Sequence, residues 1–193
     1  MNFSFEGHHG TSVESAKEIL ASNYELSKGD GEWLGDGVYF FINGVSSKTV
    51  DLAENWAVAQ SWDNKIKALK YKEFCVIQSK IEVDESEFLD LTIEDGIEVL
   101  QYLVNRYKEK IDSIQKKMSF LEGFLLNLAR GEGILPLEVV KGNFYIKFAK
   151  ERIENINFSI RKRVSAVLDI YFLITFNQGE IVCNKNTIHY SYL

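Results

Sequence analysis

Gly35-Asp36-Gly37-Val38-Tyr39-Phe40-Phe41-Ile42 decides how the rest of the chain is read. Val38, Phe40 and Ile42 alternate with Tyr39 and Phe41, so the run is a strand with apolar residues at both phases, covered on both faces. Gly35 and Gly37 supply either the permissive backbone of a tight entry turn or room for a ligand against the main chain. Upstream, His9-Gly10-Thr11 closes a shorter strand, Phe3-Ser4-Phe5, and leads directly into a helical pattern from Ser12 to Leu20. A polar side chain and a glycine at a strand end, then a helix N-terminus, then a second strand carrying a tyrosine are the parts of a nucleotide cleft.

These residues resemble the ADP-ribosyltransferase superfamily, in the diphtheria-toxin and poly(ADP-ribose) polymerase branch whose signature is a His, a Tyr and a Glu on three strands. The likeness rests on His9-Gly10-Thr11, a helix ending in Ile19-Leu20, and Gly35-Asp36-Gly37-Val38-Tyr39-Phe40. Trp33-Leu34 before that motif and Ala53-Glu54-Asn55-Trp56-Ala57 after it are most similar to small bacterial members. It covers residues 5–60 and, less fully, the C-terminal strands; the middle of the chain is unmatched. The resemblance implies NAD as co-substrate and no metal. It gives His9 the adenine-side ribose, Gly10 the nicotinamide amide through its backbone, and Thr11 the support of the turn. Tyr39 and Trp56 become the two aromatic walls for nicotinamide; Trp56 departs from the family's usual tyrosine, and stacking asks only for a π-face.

Composition sets bounds on the alternatives. The chain has 193 residues, 46% of them hydrophobic, with one proline and no low-complexity run, so 1–193 reads as a single domain. No signal-peptide pattern opens it and no apolar run is long enough to span a bilayer, so a cytoplasmic protein without membrane contact is expected. Cys75 and Cys183 lie in apolar runs and read as buried thiols. His8 and His9 are adjacent on a strand and point to opposite faces, and no other cluster has metal-ligand spacing. The net charge of −6 argues against a protein that is basic all over, yet positive residues gather locally. Arg106, Lys108, Lys110, Lys116 and Lys117 form one group, and Arg161, Lys162 and Arg163 another. They are either a solvated face or an acceptor-binding surface.

In chain order the pattern predicts a helix capped by Ser12, a loop over the cleft mouth at Glu25–Asp36, and the Tyr39 strand. A helix follows with Val50, Ala53, Trp56, Ala57 and Gln60 at helical spacing, then a strand over Glu73–Val83 and a short one at Phe88–Leu91. Ile93 to about Arg130 is read as helix, and so is Asn143 to about Arg163; Val164–Phe176 is a strand, and Glu180 starts another after the Asn177-Gln178-Gly179 turn. The fold class is therefore α+β. The resemblance sharpens this to a split mixed or antiparallel sheet with flanking helices and a predominantly helical insertion at about 93–163.

Each candidate has a plainer reading. His9 is also a polar cap on a strand end, Tyr39 and Trp56 are also core, and Glu180 is also a polar residue leaving a hairpin turn. By resemblance His9, Tyr39 and Glu180 form the catalytic set. A carboxylate beside the ribose stabilises the oxocarbenium-like transition state of cleavage at the ribose–nicotinamide bond. Gln178 echoes the Gln-x-Glu form of relatives that modify side chains, a branch that carries Arg where this chain has His9. The expected activity is transfer of ADP-ribose from NAD to an intracellular macromolecule, nucleic acid slightly ahead of protein. The expected setting is a toxin–antitoxin or phage-defence module in which an antitoxin or inhibitor protein holds the enzyme in check. An NAD glycohydrolase and an inactive NAD-binding module remain the alternatives.

Overall fold

The computed structural model describes residues 1–29, 31–114, 120–153 and 156–169. In chain order its elements are β1 (Asn2–Ser12), α1 (Val13–Ala21), β2 (Val38–Ile42), α2 (Thr49–Ser61), the short strands β3 (Trp62–Asp63) and β4 (Ala68–Leu69), and β5 (Phe74–Asp84). A single 3-10 turn at Glu85–Glu87 leads to β6 (Phe88–Asp90), α3 (Glu94–Arg106), α4 (Lys108–Asp112), α5 (Leu121–Gly131), β7 (Val139–Ile153) and β8 (Ile156–Asp169). Among the described residues six strands make one sheet in the order β5-β1-β2-β8-β7-β6, antiparallel except between β6 and β7. The architecture is α+β, with three helices lying between β6 and β7 in the chain.

Both faces of β2 are covered, as its double apolar phase requires. Val38, Phe40 and Ile42 pack with Ala16 and Ile19 of α1, whereas Phe41 packs with Leu52 and Ala53 of α2. A third apolar cluster, centred on Leu103, Leu125, Leu126 and Val140, joins α3 and α5 to the sheet and takes in the ring of Tyr39. The Ser12 side chain accepts the Ser15 N–H at 3.0 Å, capping α1 as its hydroxyl chemistry predicts. β1 runs unbroken through Gly7, His8, His9 and Gly10, residues with little strand preference of their own. Its register against β5 holds them, with Asn2 opposite Asp84 and Ser12 opposite Phe74.

Two expectations are corrected. Residues 143–153 and 156–163 are not helical: they belong to the antiparallel pair β7 and β8, in which Phe144 is opposite Val164 and Ile153 opposite Ile156. The local pattern was compatible with a charged helix, but β8 also pairs with β2, Ile42 opposite Ser165 and Val38 opposite Asp169, and that ladder requires a strand. Helix is thus confined to the first part of the proposed 93–163 insertion. There the single long helix expected from Ile93 to Arg130 is broken. α3 stops at Tyr107, whose backbone (φ −100°, ψ 16°) leaves helical geometry before α4 begins.

The close approach of α2 to β1 is made possible by Gly10. A Cβ at that position would lie 1.8 Å from the Ala53 carbonyl oxygen, and Ala53 itself is completely buried. The glycine is therefore explained by strand-to-helix packing before any ligand is considered. Gly10→Ala should destabilise the protein by more than about 3 kcal/mol, because backbone rather than a flexible side chain must move. Gly31→Ala, with nothing within 4 Å of the added carbon, should change stability by less than about 0.5 kcal/mol. Urea unfolding of the two variants measures the difference; comparable midpoints would contradict the packing account.

Candidate functional site

The sheet opens where β1 and β2 part. Their ladder consists of Gly7 opposite Ile42 and His8 opposite Phe41. One residue further along β1, the His9 ring takes over: its Nδ1 lies 2.9 Å from the Tyr39 carbonyl oxygen. A carbonyl can only accept, so Nδ1 carries the proton, and in the neutral ring Nε2 is left as an acceptor. Burial lowers the His9 pKa, and the bond to Tyr39 raises it by less. The ring is held edge-on to Tyr24 at 5.2 Å and against Phe40 at 5.9 Å. Tyr24 is anchored in turn by a 2.9 Å hydrogen bond to Ser79.

A cleft of about 430 Å³ lies beside this bond. His9, Gly10 and Thr11 border it from β1, Tyr39 from β2 and Trp56 from α2. These five residues, picked out from the sequence, thus converge. The structure adds Glu32 and Trp33 from the loop, Gln60 from α2, and Lys70 and Tyr71 after β4. Trp33 stands against Tyr39 at 6.3 Å and 75° and against Trp56 at 5.6 Å and 69°, so the rings form adjoining walls rather than a stack. The sequence did carry a signal for Trp33, a large aromatic in a polar loop. It carried none for Lys70. That residue reaches the cleft because the β3–β4 pair folds back on the end of α2, its N–H donating to the Ser61 carbonyl at 2.7 Å.

Ser27, Gly31, Glu32 and Trp33 of the loop border the cleft, and the loop is anchored at several points. Ser27 and Gly37 exchange backbone hydrogen bonds of 3.0 Å across its base. The Tyr39 hydroxyl donates to the Gly35 carbonyl at 2.8 Å and accepts the Leu34 N–H at 2.9 Å. Burial chiefly, and the nearby charges of Glu32 and Asp36 secondarily, push its pKa well up. What Tyr39 offers a ligand is therefore its ring, since its hydroxyl is spent on the loop. On the outer side α5 grips the loop. Asn127 Oδ1 accepts the Asp36 N–H at 2.9 Å, and Arg130 donates to the Asp36 carbonyl at 3.2 Å. Gly35 has φ +93° and fits against Gly123, where a Cβ on either glycine would strike the other segment's backbone.

Other candidates fall elsewhere. Arg161, Lys162 and Arg163 lie in β8, opposite Lys147, Ile146 and Tyr145 of β7, instead of on a helix. Glu180, Gln178, Lys116 and Lys117 lie outside the described residues, as does Cys183. Cys75 is buried, in line with its apolar surroundings in the sequence. His8 is buried on the other side of β1 from His9, and among the described residues its Nδ1 has no hydrogen-bond partner. Among the described residues, no group of three or more His, Cys, Asp or Glu is arranged to hold a metal ion. Among them, too, no helix is long and apolar enough to cross a membrane.

No protein-family model matches the chain, and no solved structure matches it significantly. It is similar to an uncharacterized protein of Methanocaldococcus jannaschii, 29% identical over 189 residues that span 93% of this chain and 81% of the relative.

Both histidines of the pair have pKa values lowered from 6.5, each chiefly by burial, which the charge of Glu6 offsets in part at His8. The unfolded chain then takes up protons before the folded chain as pH falls. Their contribution to stability is complete above about pH 6.5 and is lost as pH falls from there toward the folded values. His9→Gln should flatten the decline in unfolding free energy between pH 7.5 and 5.5. Denaturant titrations at a series of pH values test this; an unchanged slope would mean that His9 is not held neutral.

Proposed function

We propose that the chain is an NAD-using ADP-ribosyltransferase that needs no metal. The observation that carries this reading is the convergence of His9, Gly10, Thr11, Tyr39 and Trp56 on one cleft, with the His9 Nε2 left as an acceptor. An imidazole acceptor suits a ribose hydroxyl, which can donate to it. The aromatic walls suit the planar nicotinamide ring, and a volume of about 430 Å³ suits a small-molecule ligand. Lys70 supplies a positive charge at the cleft for a diphosphate. The fork between β1 and β2 supports the split-sheet form of the α+β fold that the resemblance implies.

In this reaction the bond between ribose C1′ and the nicotinamide nitrogen breaks, and its electron pair leaves with nicotinamide. The acceptor's nucleophile then bonds to C1′ and loses its proton. The chain's part is to hold the ribose through His9, to flank the leaving ring with Trp33, Tyr39 and Trp56, and to stabilise positive charge developing on the sugar. Glu180 is the residue proposed for the last task, by resemblance. The acceptor is proposed to be an intracellular nucleic acid in preference to protein. Arg161, Lys162 and Arg163, which follow one another in β8, are proposed to contact it, and Lys116 and Lys117 to contribute. A cytoplasmic toxin restrained by an antitoxin or inhibitor protein, or a phage-defence enzyme, is the setting that the resemblance suggests.

The test is to incubate the purified protein with labelled NAD and whole-cell extract, then digest with nuclease or protease. Label released by nuclease is the expected result, and label released by protease alone would move the acceptor to protein. Free ADP-ribose without labelled macromolecule would make the protein a glycohydrolase. Glu180→Gln should cut turnover by about 10² to 10³ with little change in NAD affinity. His9→Ala should weaken NAD binding by on the order of tenfold. Wild-type turnover in Glu180→Gln would remove that residue from the chemistry.

A further inference from the structure

The hairpin of β3 and β4 is basic in an acidic protein. From Trp62 to Lys72 it holds Lys65, Lys67, Lys70 and Lys72 against one acid, Asp63, in a chain whose net charge is −6. All four lysines are exposed, as are Asn64 and Ile66 at the tip. Among the described residues none of the four is in an ion pair, and Lys70 acts on Asp63 only at longer range. The Asp63 carboxylate is turned to the tip's backbone, its Oδ1 accepting the Lys65 N–H at 2.7 Å and the Ile66 N–H at 3.2 Å. Lys67 completes the turn in the left-handed region, at φ 53°, and Trp62 opposite Leu69 and Asp63 opposite Ala68 close the ladder. The root is fixed as well. The Tyr71 hydroxyl donates to the Ala57 carbonyl, and Glu73, just beyond, accepts the Val13 N–H at its carbonyl. Lys70 and Tyr71 border the cleft. Positive charge therefore runs outward from the cleft's edge to the tip, about 10 Å away for three residues of extended chain.

We infer that this hairpin is a docking surface for the phosphate backbone of a single-stranded nucleic acid, contacted by Lys65, Lys67 and Lys72 and led by them toward the cleft. That the docked strand is the acceptor rests on the proposed function; the docking itself rests on the charge, exposure and fixed shape of the hairpin. Phosphate contacts ask for positive charge within reach and are indifferent to base sequence, which suits lysines spaced along a held turn. Trp62 and Tyr71 at the root are half-buried. Aromatic rings beside a row of charges favour a nucleic acid over an acidic peptide, because bases stack on them. The acidic remainder of the chain repels the same polyanion, so attraction is confined to the basic segments. Lys70 is left to the cleft, and the hairpin is a separate segment from the basic run in β8.

The experiment uses the full chain and two fluorescein-labelled single strands of one mixed sequence, RNA and DNA, each of about 12 nucleotides. Labelled polyglutamate serves as the acidic peptide. Anisotropy titrations between about 50 and 200 mM salt give the affinity and its salt slope. Lys65→Gln/Lys67→Gln/Lys72→Gln should lower the slope by about 2, three contacts at roughly 0.7 each, and weaken binding at the lower salt by at least about tenfold. Lys65→Arg/Lys67→Arg/Lys72→Arg should stay close to wild type, and so should Lys17→Gln/Lys48→Gln/Lys80→Gln, which removes equal charge elsewhere. NAD affinity by calorimetry should be unchanged in the hairpin variants. An unaltered slope in the hairpin glutamine variant overturns the docking surface while leaving NAD binding intact. So do equal losses in the two glutamine variants, or no binding of either strand by the wild-type protein. Binding of polyglutamate in place of the strands also overturns it, and gives the hairpin to an acidic protein. Failure of the wild-type protein to bind NAD overturns the proposed function, and the acceptor role with it, while the salt slopes still decide the docking.

Discussion

The hydrogen bond from His9 Nδ1 to the Tyr39 carbonyl holds the sheet together where its ladder ends. A backbone carbonyl left at the edge of an opening sheet needs a donor, and water is the usual one. Here a side chain from the neighbouring strand serves, and three consequences follow from one contact. The strands stay at a set separation, the tautomer is determined, and the remaining ring nitrogen becomes an acceptor beside the cleft. Burial then disfavours the imidazolium, so the acceptor survives to below neutral pH. The cleft's first polar group is thus produced by the same bond that stabilises the fork.

Tyr39 connects this fork to the loop. Its carbonyl serves His9 and its hydroxyl serves Gly35 and Leu34, so a single residue of β2 carries both walls of the cleft mouth. The helices between β6 and β7 complete the arrangement from behind. Asn127 and Arg130 satisfy the backbone of Asp36, and Gly123 lets the loop backbone approach α5 closely. A loop over a binding site is commonly the least ordered part of a fold. This one has hydrogen bonds on its cleft side, across its base and on its helix side, which favours a preformed cleft over one assembled by the ligand. The helical middle of the chain therefore has a definite structural task, holding the loop that carries Glu32 and Trp33.

By itself, the sequence determined the elements whose reasons are local. The alternation of Val38–Ile42 made β2, the Ser12 hydroxyl made the start of α1, and the spacing of Val50, Ala53, Trp56 and Ala57 made α2. His9, Tyr39 and Trp56 could be named from a short motif, and the structure brings them to one cleft. Tertiary structure decided the rest, and the reason is that the deciding partners are distant in sequence. Residues 143–153 and 156–163 became strand because β8 finds β2 on one side and β7 on the other, contacts that no local window contains. Gly10 is explained by the Ala53 carbonyl, Glu32 by Ser27 and the cleft it borders, and Lys70 by the fold-back of β3 and β4. Local spacing can name a side chain at a strand end; only packing between distant segments sets its proton, its neighbours and the space it faces.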